Sequence, residues 1–185
     1  TGDQTPGEVY TVSVSGVSDP DGNEFNGDVS IHAYVEATGF LWWDVWTGIG
    51  GAHPMENLTE NENYPDNPSF SQLMPWTNSR WATGFQNDAN DNYGARMSGW
   101  LVAPEDGEYR IWVRSDDHGQ VWISSDEDPE NVELYAEEVG CCKSFTLDDG
   151  GLSGLIELAA GKRYYFEALL KEGGGGDWMH VGWPR

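Results

Sequence analysis

Apolar and polar residues alternate with period two in several short segments, which is the mark of half-buried strands. Tyr10, Val12 and Val14 alternate with Thr11 and Ser13, and Ile31, Ala33 and Val35 with His32 and Tyr34. Tyr109, Ile111 and Val113 alternate with Arg110, Trp112 and Arg114, and Val121 and Ile123 continue the pattern one strand later. Residues 163–170 read as a long mixed strand and 180–183 as a short final one. No stretch of a dozen residues carries a helical stripe. The best helical candidates are single turns near 55–58 and 69–74. Twenty-four glycines and nine prolines cut the chain into short pieces. Many short strands between Gly/Pro turns predict an all-β fold, an antiparallel β-sandwich or barrel with long loops.

Irregular stretches fall at 47–81 and 86–93, and loops of this length in a compact domain are either functional or floppy. Pro54, Pro65, Pro68 and Pro75 stiffen the first of them, which favours an ordered surface loop. Residues 1–37 read as strand, polar turn, strand. They form either an extra hairpin of the same sandwich or the tail of a preceding module, and 38–185 form the main domain. No internal repeat is visible.

Composition sharpens this picture. The chain has 185 residues, enough for one domain with a real core. Thirty-two acidic residues against nine basic ones give a net charge of −23, and no Lys or Arg precedes Arg80. Such a chain repels nucleic acid and anionic membranes, so neither is an expected partner. It should attract cations and tolerate salt. Disorder requires few aromatics, yet there are ten Trp, eight Tyr and six Phe, so the chain is globular. No apolar run approaches the ~18 residues of a membrane helix. The first residue is Thr and no signal peptide is visible, so the expectation is a mature or excised piece of a longer product. Cys141 and Cys142 are adjacent and cannot staple the fold across a long loop. They are two free thiols, a ring disulfide, or partners of another chain.

Candidate chemistry concentrates in the run Arg114-Ser115-Asp116-Asp117-His118-Gly119, between two predicted strands. Adjacent carboxylates at a hairpin tip repel each other. A hard cation such as calcium relieves that repulsion, whereas a solvated acidic turn merely tolerates it. Lys171 to His180 contains four consecutive glycines closed by Asp177 and Trp178. Such a run exposes backbone carbonyls and permits close approach. Loop carbonyls plus Asp177, facing the aspartate pair, would supply several of the 6–8 oxygens that calcium takes. Two other oxygen-rich runs read as turns. Asp19-Pro20-Asp21-Gly22-Asn23 opens like a calcium loop but lacks the glycine and glutamate an EF-hand needs, and Asn87 to Gly94 suits Asx turns. His53-Pro54-Met55-Glu56 is not a metalloprotease motif, the His and Cys residues lack zinc spacing, and no nucleophile elbow or phosphate loop occurs. The chain is therefore not expected to be an enzyme. Most tryptophans should pack in the core, with Trp178 the best candidate to stack on a sugar ring. Asn57-Leu58-Thr59 is a glycosylation sequon, meaningful only in a eukaryotic source.

From about Gly39 to Trp183 the chain resembles the PA-fourteen domain family, named after the anthrax protective antigen. The matching blocks run in order: Val45-Trp46-Thr47-Gly48-Ile49-Gly50, Tyr93-Gly94-Ala95-Arg96-Met97-Ser98-Gly99-Trp100, Ala103-Pro104-Glu105-Asp106-Gly107-Glu108-Tyr109, Ser115-Asp116-Asp117-His118-Gly119, Leu158-Ala159-Ala160-Gly161-Lys162-Arg163-Tyr164-Tyr165, and Lys171-Glu172 through Asp177. Residues 1–36 are not covered. The resemblance implies an extracellular or cell-surface β-sandwich module, found in adhesins, flocculins, glycosidases and toxins. It implies a calcium-dependent lectin in which Asp116 and Asp117, joined by a cis peptide, bind Ca2+ that chelates two neighbouring sugar hydroxyls. Asp177, with the carbonyls of Gly174 and Gly175, would complete the metal site. Asp116, Asp117, His118, Gln120, Trp178 and His180 would meet the sugar. His118 departs from the small or amide residue usual after the pair. A ring disulfide at Cys141–Cys142 would offer a stiff apolar surface to a sugar face. The implied partners are glycans or polysaccharides on cell surfaces, bound by a monomeric module of a larger protein. The alternatives are a structural spacer that binds no sugar and an accessory module of a glycoside hydrolase.

Overall fold

A computed structural model describes residues 9–32, 39–85, 89–145 and 151–183, without the side chains of Val29, Ile31, His32 and Trp81. The chain divides into two compact units, Thr1–Thr38 and Gly39–Arg185. In the first, strands β1 (Val9–Ser18) and β2 (Glu24–His32) form an antiparallel hairpin. Its turn is closed by Asp19, whose Oδ1 accepts from the backbone N–H groups of Asp21 and Asn23 at 3.0 and 2.9 Å. This is Asx-turn chemistry. Ala33, Tyr34 and Val35 lie outside the described residues.

The second unit is an antiparallel β-sandwich. One layer is a six-stranded sheet in the order β4-β3-β5-β11-β8-β9, comprising Phe70–Met74, Leu41–Thr47, Tyr93–Val102, Arg163–Glu172, His118–Ser124 and Val132–Glu138. The facing layer is built from two-stranded pairs: β7 (Trp112–Asp116) with β12 (Trp178–Gly182), and β6 (Gly107–Tyr109) with β10 (Ile156–Leu158). Period two explains the core between them. Trp43 and Val45, Ala95 and Met97, Phe166, Ala168 and Leu170, and Val121 and Ile123 turn inward from the large sheet. Val113 and Met179 meet them from the other layer.

The structure corrects several sequence-based boundaries. The predicted helical turn at 69–74 is instead the edge strand β4, because Leu41, Trp42, Trp43, Asp44 and Val45 offer it a complete pairing partner. Ser71 Oγ donates to Asp44 Oδ1 at 2.6 Å and fixes that pairing. The strand predicted through Tyr109–Arg114 is broken at Arg110 and Ile111 and divides between two pairs. The turn at 55–58 is present as α1 (Glu56–Thr59). It lets the long loop cover the outer face of the large sheet, where Leu58, Met55 and Ile49 bury themselves with Trp46 and Leu169. Gly94 is required beneath it, since a Cβ there would stand 2.5 Å from Leu58 Cδ1.

What positions the site is the pair of corners at one end of the sandwich. β7 belongs to the small layer and β8 to the large sheet, so the chain changes layer at Asp116-Asp117. β11 and β12 make the reverse crossing through Gly173 to Asp177. Because β8 pairs with β11 and β7 with β12, the two corners lie side by side.

Leu58 ties the long loop to the sheet, so Leu58→Ala should destabilise the protein by about 2–5 kcal/mol through transfer and cavity terms. Urea unfolding should show a lowered midpoint at unchanged slope.

Candidate functional site

The sequence explains why the second corner carries a buried charge. Tyr164, Phe166, Ala168 and Leu170 form the core-facing row of β11, and Glu172 is the next position in that row. Its carboxylate is fully buried and neither oxygen has a hydrogen-bond partner. Oxygens of Asp116, Asp117 and Glu172 lie within 4.8 Å of one another. Burial first, then the charges of Asp117, Asp116 and Asp177, push the Glu172 carboxyl up to about 8. The Asp117 backbone N–H and the nearby Lys171 charge offset this crowding only in part, and a cation among the three carboxylates would offset it further.

The Asp116–Asp117 peptide is cis. Asp117 Oδ2 accepts from the N–H of Gly173 at 3.0 Å, which links the two corners directly. Ser115 Oγ, buried beneath the pair, donates to the Asp117 carbonyl at 2.8 Å. Gly119 leaves room for this serine, since a Cβ there would come within 2.6 Å of Ser115 Oγ.

Asp177 is fully buried, and its carboxylate accepts from the backbone N–H groups of Ala89 and Asn90 at 3.2 and 3.1 Å. It thereby fixes the acidic loop before β5, and it acts on Glu172 electrostatically. It does not belong to the 4.8 Å group of the other three carboxylates. Gly175 donates its N–H to Asp91 Oδ1 at 3.2 Å and adopts a φ of 105°, which glycine permits. Gly174 faces the same aspartate. Gly173 is pressed against a third loop, where an added Cβ would stand 2.7 Å from the Ala52 nitrogen.

Lys171, one residue before Glu172, points to the opposite face of the strand. Its ammonium is fully buried and donates to the carbonyls of Ile49, Tyr93 and Glu172 at 2.7, 3.1 and 2.6 Å. It gathers the ends of three segments around the site. Burial pushes its pKa down, against the opposing pull of Glu172 and Asp117.

Cys141 and Cys142 form a vicinal disulfide, which decides among the three states the sequence allowed. Both residues are exposed, and their sulfurs lie within 4.8 Å of a carboxylate oxygen of Asp116. The Cys142 N–H donates to the Ser115 carbonyl at 3.0 Å. Glu138, fully buried, clamps this loop by accepting from Ser115 N–H at 2.9 Å and Lys143 N–H at 2.7 Å.

The remaining predicted residues occupy two places. His118 and Gln120 are buried on the outer face of the large sheet, both on Glu137 Oε1 at 3.0 and 2.7 Å, and Trp122 Nε1 donates to Gln120 at 3.1 Å. Trp178 and His180 lie on the β7–β12 pair, in contact with each other at 5.0 Å between ring centroids, but Trp178 is buried with the Arg80 and Arg114 guanidinium groups on its ring, so it does not offer the open stacking face expected of it. Sequence reasoning assigned no role to Glu172 or Glu138. The available signal for Glu172 was its place at the end of an apolar alternating row.

A β-sandwich with two layer-crossing corners and a carboxylate cluster at one end defines the class, and the chain belongs to the PA14 domain family, which matches residues 75–185. It is 30% identical over 167 residues to mouse N-acetyl-beta-glucosaminyl-glycoprotein 4-beta-N-acetylgalactosaminyltransferase 1, covering 86% of this chain but 14% of that protein. The fold is shared with a beta-glucosidase from Kluyveromyces marxianus, solved in complex with glucose (TM-score 0.52, 16% identity, 78% of this chain and 16% of that one). It is shared also with the Epithelial Adhesin 9 A domain from Candida glabrata, solved in complex with Galb1-3GlcNAc (TM-score 0.51, 11% identity, 80% and 82%).

A raised carboxyl pKa contributes stability that is full below the unfolded value and lost as pH rises through the folded one. Glu172 therefore sets a window from its ordinary value of 4.5 up to about 8. In chelator, thermal midpoints should fall as pH rises through that window, and Glu172→Gln should flatten the fall.

Proposed function

We propose that this chain is a calcium-dependent carbohydrate-binding module, acting at the cell surface or outside the cell. The observation that supports it most is the orphaned, fully buried Glu172 carboxylate beside Asp116 and Asp117. All the donors are hard oxygens, which suit calcium, and a site formed from irregular corners suits its adaptable shell. Asp116, Asp117 and Glu172 hold the ion, and the carbonyls of Gly174 and Gly175 on the second corner complete its ligands, while Asp177 holds the neighbouring loop through Ala89 and Asn90 and adds its negative charge nearby. When bound, calcium supplies open positions for two neighbouring sugar hydroxyls.

This chain's own residues do the rest. Gly173 N–H orients Asp117. Glu138 holds the exposed disulfide ring beside Asp116, where it forms an apolar wall for a sugar face. His180 lines the small-layer side beside the buried Trp178, while His118 and Gln120 brace the first corner through Glu137. The module binds rather than catalyses. A shallow site gives weak affinity for a single sugar, which repetition within a larger protein raises through multivalency. The chain spans 14% of the length of the mouse transferase it matches, in keeping with such a setting.

A glycan array probed with wild-type protein in calcium, in chelator, and with Asp116→Asn tests this reading. The expected result is a defined set of glycans bound in calcium, with signal reduced at least about tenfold by chelator or by the substitution. Binding that persists in chelator, or no glycan bound in calcium, contradicts it, the latter outcome leaving a structural spacer.

A further inference from the structure

A second recognition element adjoins the carboxylates on the outer face of the β7–β12 pair. The register sets Asp116 opposite Trp178 and Arg114 opposite His180. Val113, Ser115 and Met179 between them are buried toward the core. Side chains two apart on a strand share a face, so Arg114, Asp116, Trp178 and His180 form one strip on the side away from the core, with Trp178 buried within it and Phe145 packed against Arg114 at 5.5 Å and His180 at 6.4 Å. Arg80 joins the strip from a single 3-10 turn, Ser79–Trp81. That turn is fixed to β12: Asn78 bridges to His180, Asn78 Oδ1 accepts from Arg80 N–H at 3.0 Å, and Met179 N–H donates to Ser79 Oγ at 2.7 Å. The Arg80 guanidinium lies 4.9 Å from the Trp178 ring and that of Arg114 lies 4.7 Å from it.

Two guanidinium groups on one ring are conspicuous in a chain of net charge −23 with nine basic residues. Three other cations have acceptors: Arg96 pairs with Asp44 at 3.0 Å, Arg163 with Glu127 at 3.6 Å, and Lys171 has its three carbonyls. Among the described residues, neither the Arg80 nor the Arg114 guanidinium is placed in an ion pair or a hydrogen bond. Arg114 Nε and His180 Nε2 are buried with no partner. A buried guanidinium N–H without an acceptor is costly to leave unmade, and planar forked donors match carboxylate and sulfate oxygens. The arginines' field is strong enough, after burial, to help push His180 down to about 4.

We infer that Arg80 and Arg114, stacked on Trp178, form a subsite for an oxyanion carried by the bound glycan: the carboxylate of a uronic acid or a sulfate ester. Two residues of strand separate Arg114 from Asp116, about 7 Å, a span one sugar ring can bridge. The inference rests on the calcium-lectin reading for the sugar's hydroxyls, but oxyanion recognition itself needs only the arginines. The surrounding acidic surface repels long polyanions, and its field is screened within about 8 Å at physiological salt. The fitting ligand therefore carries a single oxyanion on a terminal sugar.

The test uses the whole chain, wild type and two variants, Arg114→Gln and Arg80→Gln, each first titrated with calcium and checked for an unchanged thermal midpoint. Methyl galactoside, methyl galacturonide, galactose 6-sulfate and inorganic sulfate are then titrated in calcium and in chelator. The expected result is at least about tenfold tighter binding of one acidic sugar than of the neutral one, lost in both variants while calcium affinity is kept. The uronide and the sulfate ester separate the two oxyanion sources. Equal affinity for acidic and neutral sugars, or a preference that survives both substitutions, overturns the inference and leaves the calcium reading standing. If calcium does not bind, that reading fails by itself. A preference for acidic sugar in chelator, abolished in Arg80→Gln, would still support the oxyanion subsite, and its absence would overturn it.

Discussion

Like charge is forced together where the two layers of this sandwich are joined. The chain crosses between layers at Asp116-Asp117 and again after Glu172, and strand pairing sets the crossings side by side. Three carboxylates then lie within 4.8 Å of one another. At that separation two charges repel by about 3 kcal/mol at an effective dielectric constant of 20. Burial of Glu172 adds a desolvation cost. The protein answers in part by protonation, which the upward shift of Glu172 expresses, and a divalent cation would answer more completely.

The rest of the end of the sandwich is arranged around that crowding. Lys171 places a positive charge one residue away but on the opposite face, enclosed by three carbonyls rather than by the carboxylates. It organises the loops and offsets the charge of the cluster only in part. Glu138 and Asp177 are also fully buried, yet each has its oxygens occupied by backbone N–H groups. The distinction between these two and Glu172 is therefore one of hydrogen bonding, not of burial. Glycines at 94, 119 and 173 supply the close approaches that let the segments meet. Charge of the other sign gathers on the adjoining outer strip, where Arg80 and Arg114 flank Trp178.

Much of this was legible in the sequence. Alternation revealed strands such as the one carrying Val121 and Ile123, the mixed run at 163–170 falls within the strand Arg163–Glu172, and glycine and proline spacing indicated a sandwich. The aspartate pair stood out as two like charges between two strands, and its cis peptide matches what the family resemblance implied. Edge strand β4 was hidden, because a five-residue strand without strict alternation is defined by its partner β3 rather than by its own pattern. Glu172 was hidden for another reason. Its row identifies it as core-facing, but only the neighbouring corner reveals what it faces. The grouping of Arg80 with Arg114, 34 positions apart, depends on a bridge between Asn78 and His180 that no local pattern encodes.

Calorimetric titration of calcium into chelator-treated protein decides whether the carboxylate cluster of Asp116, Asp117 and Glu172 is a calcium site. One ion should bind per chain of wild type, with affinity sharply reduced in Asp117→Asn and in Glu172→Gln. No heat of binding in wild type, or equal binding by all three proteins, would contradict it.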